Sequence, residues 1–301
     1  MGLTRRAVLA AGAGAATLGF TPFAHAADET RAIPSTGARI PVVGLGTWIT
    51  FNVGSDPVLL ERSAAVTEAF FEEGGGVIDS SPMYGSAQAT MGHVLAKLGR
   101  PQSLVATDKV WTRAPGDGPT QIEASRNAWG VPKFHILQVH NLLGWQGHLE
   151  TLFAMKAAGA LDHVGITTSH GRRHGELEAI MKAHPIDFIQ LTYNVVDRAA
   201  EDRLLPLAQD KGIGVIVNRP FRRGDLIARV KGAPLPGFAA ELGASTWAEL
   251  MLKFIVSHPA VTVAIPATTN PAHVRQNKTA ARTPLPDAAM RARIADSVAA
   301  M

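Results

Sequence analysis

The 301-residue sequence predicts an α/β fold: one parallel (β/α)8 barrel of the TIM type, with an N-terminal hairpin, in a single domain. Three observations carry this. Eight short runs rich in Val, Ile and Leu recur along the chain, each followed by a longer amphipathic stretch, the rhythm of repeated β-α units. The runs are continuously apolar rather than alternating, as parallel strands covered on both faces should be. No G-x-G-x-x-G follows an early strand, and Gly44-Leu45-Gly46 opens no helix, which disfavours a doubly wound open sheet.

The expected strands are Val42–Leu45, Val77–Asp79, Leu104–Thr107, Ile136–Val139, His163–Thr167, Phe188–Thr192, Gly214–Val217 and Val261–Ile265. The helices between and after them are expected at Asp56–Glu73, Ala87–Leu98, Gln121–Asn127, Leu149–Ala158, Gly175–Ala183, Ala199–Asp210, Thr246–Ser257 and near Pro271–Ala281. Asp56 before Pro57 reads as an N-cap with proline in the first turn, and Gly74-Gly75-Gly76 stops that helix. No repeat or linker interrupts the chain, so residues 33–300 are expected to form the barrel domain.

Residues 1–26 read as an address. Arg5 and Arg6 precede the uncharged run Ala7–Phe20, and Ala24-His25-Ala26 is an A-x-A cleavage site. The adjacent arginines resemble a twin-arginine signal, although Val8 and Ala10 replace its usual Phe and Lys. Export to a bacterial periplasm is expected, with a cytoplasmic location if the leader does not function. No later run is long enough to span a bilayer, so no membrane contact is expected of the mature form. The composition agrees with a large packed core, being 46% hydrophobic. The absence of cysteine excludes thiolate metal sites, iron–sulfur clusters and a cysteine nucleophile. The formal charge of +4, without basic clusters interleaved with aromatics, gives no footprint for nucleic acid. A monomer is expected.

In such a barrel, chemistry belongs at the C-terminal strand ends. Read in order, those ends carry Asp79 with Ser80, Ser81 and Tyr84, then Thr107-Asp108-Lys109, His140-Asn141, Thr167-Thr168, Gln190 to Asn194, and Asn218-Arg219. Asp79, Tyr84, Lys109 and His140 would converge above the barrel. Singly, each has a plain alternative: a turn cap, loop packing, a solvated lysine, a core histidine.

With its flanking sequence, the set resembles the aldo-keto reductase family. Gly37 to Trp48 is similar to that family's opening hairpin and first strand. Ile78-Asp79-Ser80-Ser81-Pro82-Met83-Tyr84-Gly85 resembles its Asp/Tyr signature, and Ile265 to Pro271 with Asn277 its adenosine-phosphate segment. The resemblance covers about residues 33 to 285. It implies NADP(H) bound to a barrel without a Rossmann fold, with NAD(H) also possible, and reversible reduction of a small aldehyde or ketone to an alcohol. In that reading Tyr84 is the general acid, Lys109 tunes its pKa, Asp79 holds Lys109, and His140 donates to the carbonyl oxygen. A free tyrosine has a pKa near 10, so a neighbouring ammonium is expected to bring it toward usefulness.

The resemblance also places Thr47 and Trp48 beside the nicotinamide, and Gln190 on its carboxamide. Thr167 and Thr168 stand where Ser-Asn is usual, and Asn218 where many members stack a tyrosine. Arg219, Phe221 and Arg222, with Arg223 beyond, fall on the loop that covers the pyrophosphate. At the adenosine end Thr268 and Asn277 are kept, but Ala267 and His273 replace the Lys and Arg expected at the 2′-phosphate. Arg275 or Lys278 are the available substitutes, and weaker discrimination against NADH is expected. Trp48, Trp111 and Asn141 are the expected substrate-side residues; Trp145 is left open between the site wall and loop packing. Charged walls demanding an acidic substrate are not evident. Two rivals stand beside this reading. One is a cofactor-binding but catalytically weak or regulatory relative. The other is a metal-assisted hydrolase or lyase using Asp79, His140, His170 and His174, against which the adjacent lysine argues; no metal is expected.

Overall fold

The computed structural model describes residues 29–301 except residue 283. The expected leader, residues 1–26, lies outside the described residues. Strands β1 (Thr30–Ala32) and β2 (Arg39–Pro41) form an antiparallel hairpin, beginning just ahead of residue 33. A parallel eight-stranded sheet follows, in the chain order β3 (Leu45–Gly46), β4 (Gly76–Asp79), β5 (Leu104–Val110), β6 (Phe134–Val139), β7 (Leu161–Thr167), β8 (Phe188–Thr192), β9 (Gly214–Asn218) and β10 (Val263–Ala264). Its seam is closed by a parallel bridge between Val43 and Ala264, with Gly44 N–H donating to the Ala264 carbonyl at 2.8 Å. The two seam strands are the shortest, because the chain there makes bridge and loop hydrogen bonds rather than a long ladder.

The helices are α1 (Pro57–Glu72), α2 (Ala87–Leu98), α3 (Gly118–Trp129), α4 (Trp145–Ala157), α5 (His174–Ala183), α6 (Leu204–Lys211), α7 (Asp225–Arg229), α8 (Trp247–Val256), α9 (Pro271–Thr279) and α10 (Ala288–Ala299). Asp56 caps α1 as expected, its carboxylate accepting the Val58 and Leu59 N–H groups. One expected helix is broken: Ala199–Glu201 is a 3-10 turn, and α6 starts only at Leu204. Pro206 is the reason: it has no N–H for the carbonyl of Asp202 and its ring clashes there, so it fits only in the first turn of a helix and the α-helix cannot run through from Ala199. Helices α7 and α10 were not anticipated; α10 buries Ile294, Ala295 and Val298.

The period of two along each strand sorts the barrel interior into layers. Val77, Ile136, Phe188, Ile216 and Val263 face inward near the hairpin end, where Ile33 and Ile40 join the same cluster. Two residues further along their strands come Asp79, Gln138, Gln190 and Asn218, and one more step along β5 and β6 brings Lys109 and His140. The interior therefore changes from apolar to polar along its axis. Glycines make room in the lower layer: a Cβ on Gly214 would come within 2.4 Å of the Phe188 ring. Among the described residues, no helix is long and apolar enough to cross a membrane.

Candidate active site

A cavity of about 680 Å³ opens at the polar end of the barrel. Its walls include Thr47, Trp48, Asp79, Tyr84, His140, Asn141, Thr167, Thr168, Gln190, Asn218, Arg219, Phe221, Thr268 and Asn277. Fourteen residues expected from sequence thus meet in one place. Lys109 lies beneath the floor. Its ammonium donates to Asp79 Oδ2 at 2.5 Å and to the Ser80 carbonyl at 2.7 Å, and it is 0% exposed, so the solvated alternative is wrong. Asp79 Oδ1 accepts from Gln190 Nε2 at 3.0 Å and from Gln138 Nε2 at 3.3 Å. Burial works against charge on Lys109, but Asp79 and Tyr84 outweigh it and its pKa moves upward.

Tyr84 stands in the turn after β4, where its N–H bonds the Ser81 carbonyl at 3.0 Å. Lys109 Nζ lies 5.1 Å from its ring centroid, His140 packs edge-on at 5.7 Å, and Trp48 tilts against it at 6.4 Å. The hydroxyl feels the charge of Lys109, whose ammonium is hydrogen-bonded to Asp79 and the Ser80 carbonyl. The expectation that Lys109 brings the phenol below its ordinary value is corrected: burial wins and the pKa is pushed up to about 12. His140 goes the other way, down to about 2, through burial and then the neighbouring ammonium. Its ring is a neutral imidazole, with Nδ1 2.7 Å from Ser81 Oγ. A half-buried phenol and a neutral hydrogen-bonding ring therefore share one wall.

Several expected residues are placed differently. Trp111 does not line the cavity; it is 40% exposed, and its backbone is clasped by the Gln121 amide. Arg222 also lies off the wall, paired with Asp197 at 3.0 Å. Gln190 lines the cavity, but its N–H goes to Asp79, and its oxygen faces Asn218 Nδ2 at 3.4 Å. Thr47 is buried with its hydroxyl 2.9 Å from the Asp79 carbonyl. Neither candidate substitute at the adenosine end is available: Arg275 bonds Glu72 at 2.6 Å, and Lys278 is buried with its ammonium on the Gly75 carbonyl at 2.7 Å. Trp145 bonds Glu176 and stands outside the cavity wall.

Sequence reading missed Gln138 and Ser81 as site residues, and of the wall's cations it did not anticipate Lys231. Gln138 was findable, since it precedes His140 by two and must share its inward face. The walls carry Arg219, Arg223 and Lys231, with Arg223 stacked 4.7 Å over Trp48, whereas Asp79, the carboxylate of the wall, is already neutralised by Lys109. Asp108, next in sequence to Lys109, points outward between barrel and helices. There it accepts from Trp129 Nε1 at 2.6 Å and Gln88 Nε2 at 2.9 Å, and burial pushes it up to about 7.

A barrel whose polar end gathers Asp79, Tyr84, Lys109 and His140 was compared with known proteins, and residues 42–295 match the Aldo/keto reductase family. The chain belongs to that family. It is similar to the NADH-specific methylglyoxal reductase of Escherichia coli (strain K12), 26% identical over 260 residues that cover 73% of this chain and 76% of the relative. It also resembles the pyridoxal 4-dehydrogenase of Microbacterium luteolum, 23% identical over 83% of this chain and 92% of that protein. Among solved structures, an aldo/keto reductase of Klebsiella pneumoniae in complex with NADP and acetate superposes with a TM-score of 0.73. It is 21% identical, covering 90% of this chain and 96% of the other, and supports the fold. Carbonyl reduction with a nicotinamide cofactor is consistent with both the membership and the site.

Proposed function

We propose that this aldo/keto reductase family member reduces a small aldehyde or ketone to an alcohol with NADH or NADPH. The observation that carries the reading is the buried Lys109–Asp79 pair beneath Tyr84, in a cavity that Tyr84 shares with His140. The cavity fits an anionic nucleotide. Thr168 Oγ1 and Arg219 Nη1 are buried in its wall without a hydrogen-bond partner among the described residues, and Arg223 and Lys231 add positive charge. Thr168, Asn218, Arg219, Phe221, Thr268 and Asn277 would hold the cofactor. When bound, it supplies hydride to the carbonyl carbon. Tyr84 donates its proton to the carbonyl oxygen, Lys109 stabilises the phenolate left behind, and Asp79 keeps Lys109 charged and in place. His140 hydrogen-bonds the same oxygen as charge builds on it. A pKa near 12 keeps Tyr84 loaded with its proton throughout the physiological range.

At the adenosine end the wall offers Thr268, His273, Gln276 and Asn277, with Arg275 and Lys278 engaged elsewhere. This supports little discrimination between the two cofactors, and the NADH-specific relative supports NADH as one of them. Cofactor consumption against a panel of neutral and acidic aldehydes and ketones tests the activity; no turnover of any carbonyl would refute it. The leader reading adds export to a periplasm in monomeric form, tested by fractionating cells and measuring the mass of the mature protein in solution.

A further inference from the structure

Ser81 is fully buried, at 0% exposure, and stands between the two groups that face the carbonyl oxygen in the proposed reaction. Its backbone carbonyl accepts the Tyr84 N–H at 3.0 Å, while its hydroxyl meets His140 Nδ1 at 2.7 Å and accepts the Met83 N–H at 3.2 Å. A hydroxyl has one proton to give. If His140 carried its proton on Nδ1 and donated it to Ser81, the serine proton would need another buried acceptor. Among the described residues Ser81 has none besides Nδ1. The arrangement that leaves nothing unsatisfied has Ser81 Oγ–H donating to Nδ1, with the ring proton on Nε2.

We infer that Ser81 is a positioning residue that fixes the Nε2–H tautomer of His140, so that the ring always presents a donor, never an acceptor, to the substrate oxygen. A proton on Nδ1 would turn a lone pair toward that oxygen and oppose the charge that develops there. The same serine anchors Tyr84 through its carbonyl, so one residue sets both groups in register. His140 stays neutral because burial and Lys109 disfavour imidazolium, so the choice of tautomer, not protonation, decides its role. The catalytic part of this inference rests on the proposed reductase activity; the tautomer itself does not.

The test combines long-range proton–nitrogen correlation spectra of the protein carrying ¹⁵N-histidine with kinetics of Ser81→Ala. The His140 signal is assigned by its loss in His140→Gln. The wild-type protein is expected to show the His140 proton on Nε2. Ser81→Ala is expected to populate Nδ1–H and lower kcat for carbonyl reduction about tenfold to a hundredfold, with cofactor affinity within twofold of wild type. A wild-type spectrum with the proton on Nδ1 overturns the inference, and so does a Ser81→Ala protein with unchanged kcat or an unchanged tautomer. Should Ser81→Ala not fold, the wild-type spectrum alone decides. A wild-type protein inactive on every carbonyl would sink the reductase reading and leave the tautomer measurement standing.

Discussion

Replacing Lys109 with Met isolates the pair at the floor of the site. Lys109 and Asp79 are 0% and 2% exposed, so water cannot take over the lost interaction. The substitution strands the Asp79 carboxylate in the barrel with only the Gln138 and Gln190 amides, and leaves the Ser80 carbonyl without its donor. Removing one partner of a buried ion pair costs about 3–5 kcal/mol, which for a chain of this size lowers Tm by roughly 10 °C. The cost should depend on pH. Burial already raises the folded-state pKa of Asp79 beside Lys109, and without the opposing charge and hydrogen bond of Lys109 it rises further, so the folded variant binds more protons than the wild type. Its stability is then retained below the unfolded pKa near 4 and lost as pH rises toward the folded value. Thermal and urea unfolding followed by circular dichroism at pH 5 and pH 8 would read this. The gap between variant and wild type should widen at pH 8, and Asp79→Asn combined with Lys109→Met should recover part of the loss. A deficit under about 1 kcal/mol at both pH values would refute the buried pair as described.

Three further outcomes are expected. With Tyr84 near 12 and His140 near 2, kcat for reduction should be flat between pH 6 and pH 10; an inflection near 7 that disappears in His140→Gln would contradict this. Fluorescence titration should give NADH and NADPH dissociation constants within about tenfold of each other, since one full ionic contact is worth about that factor; a hundredfold preference for NADPH would contradict the adenosine-end assignment. Gly214→Ala should destabilise the fold by about 1–3 kcal/mol, because the added methyl meets the buried Phe188 ring at 2.4 Å. An unchanged urea midpoint would show that the barrel floor is looser than its packing implies.

The strand ends were legible because parallel strands in a barrel must be apolar until they reach the rim, where polar residues stand out. Asp79, Tyr84, Lys109 and His140 were found that way, and their flanking residues carried the family likeness. Depth was not legible. Lys109 keeps a solvated alternative until β5 is seen to continue to Val110, which places it inside. Parity along the strand would have separated Lys109, facing in, from Asp108, facing the helices, and would have added Gln138. Pairings between distant segments had no local signal. Arg275 on Glu72, Lys278 on the Gly75 carbonyl and Gln190 on Asp79 are set by how helices and strands meet across the barrel. Trp111 was misjudged because it follows Lys109 so closely, yet the chain turns outward there and leaves the ring in solvent.

The account stands most directly on the proton carried by the Tyr84 hydroxyl. The measurement is kcat for aldehyde reduction by Tyr84→Phe beside its cofactor dissociation constant. Phenylalanine keeps the ring contacts with Trp48 and His140 and removes only the oxygen. The expected result is a loss of turnover of about a hundredfold or more with cofactor binding nearly unchanged. A variant that keeps half the wild-type rate would contradict the assignment.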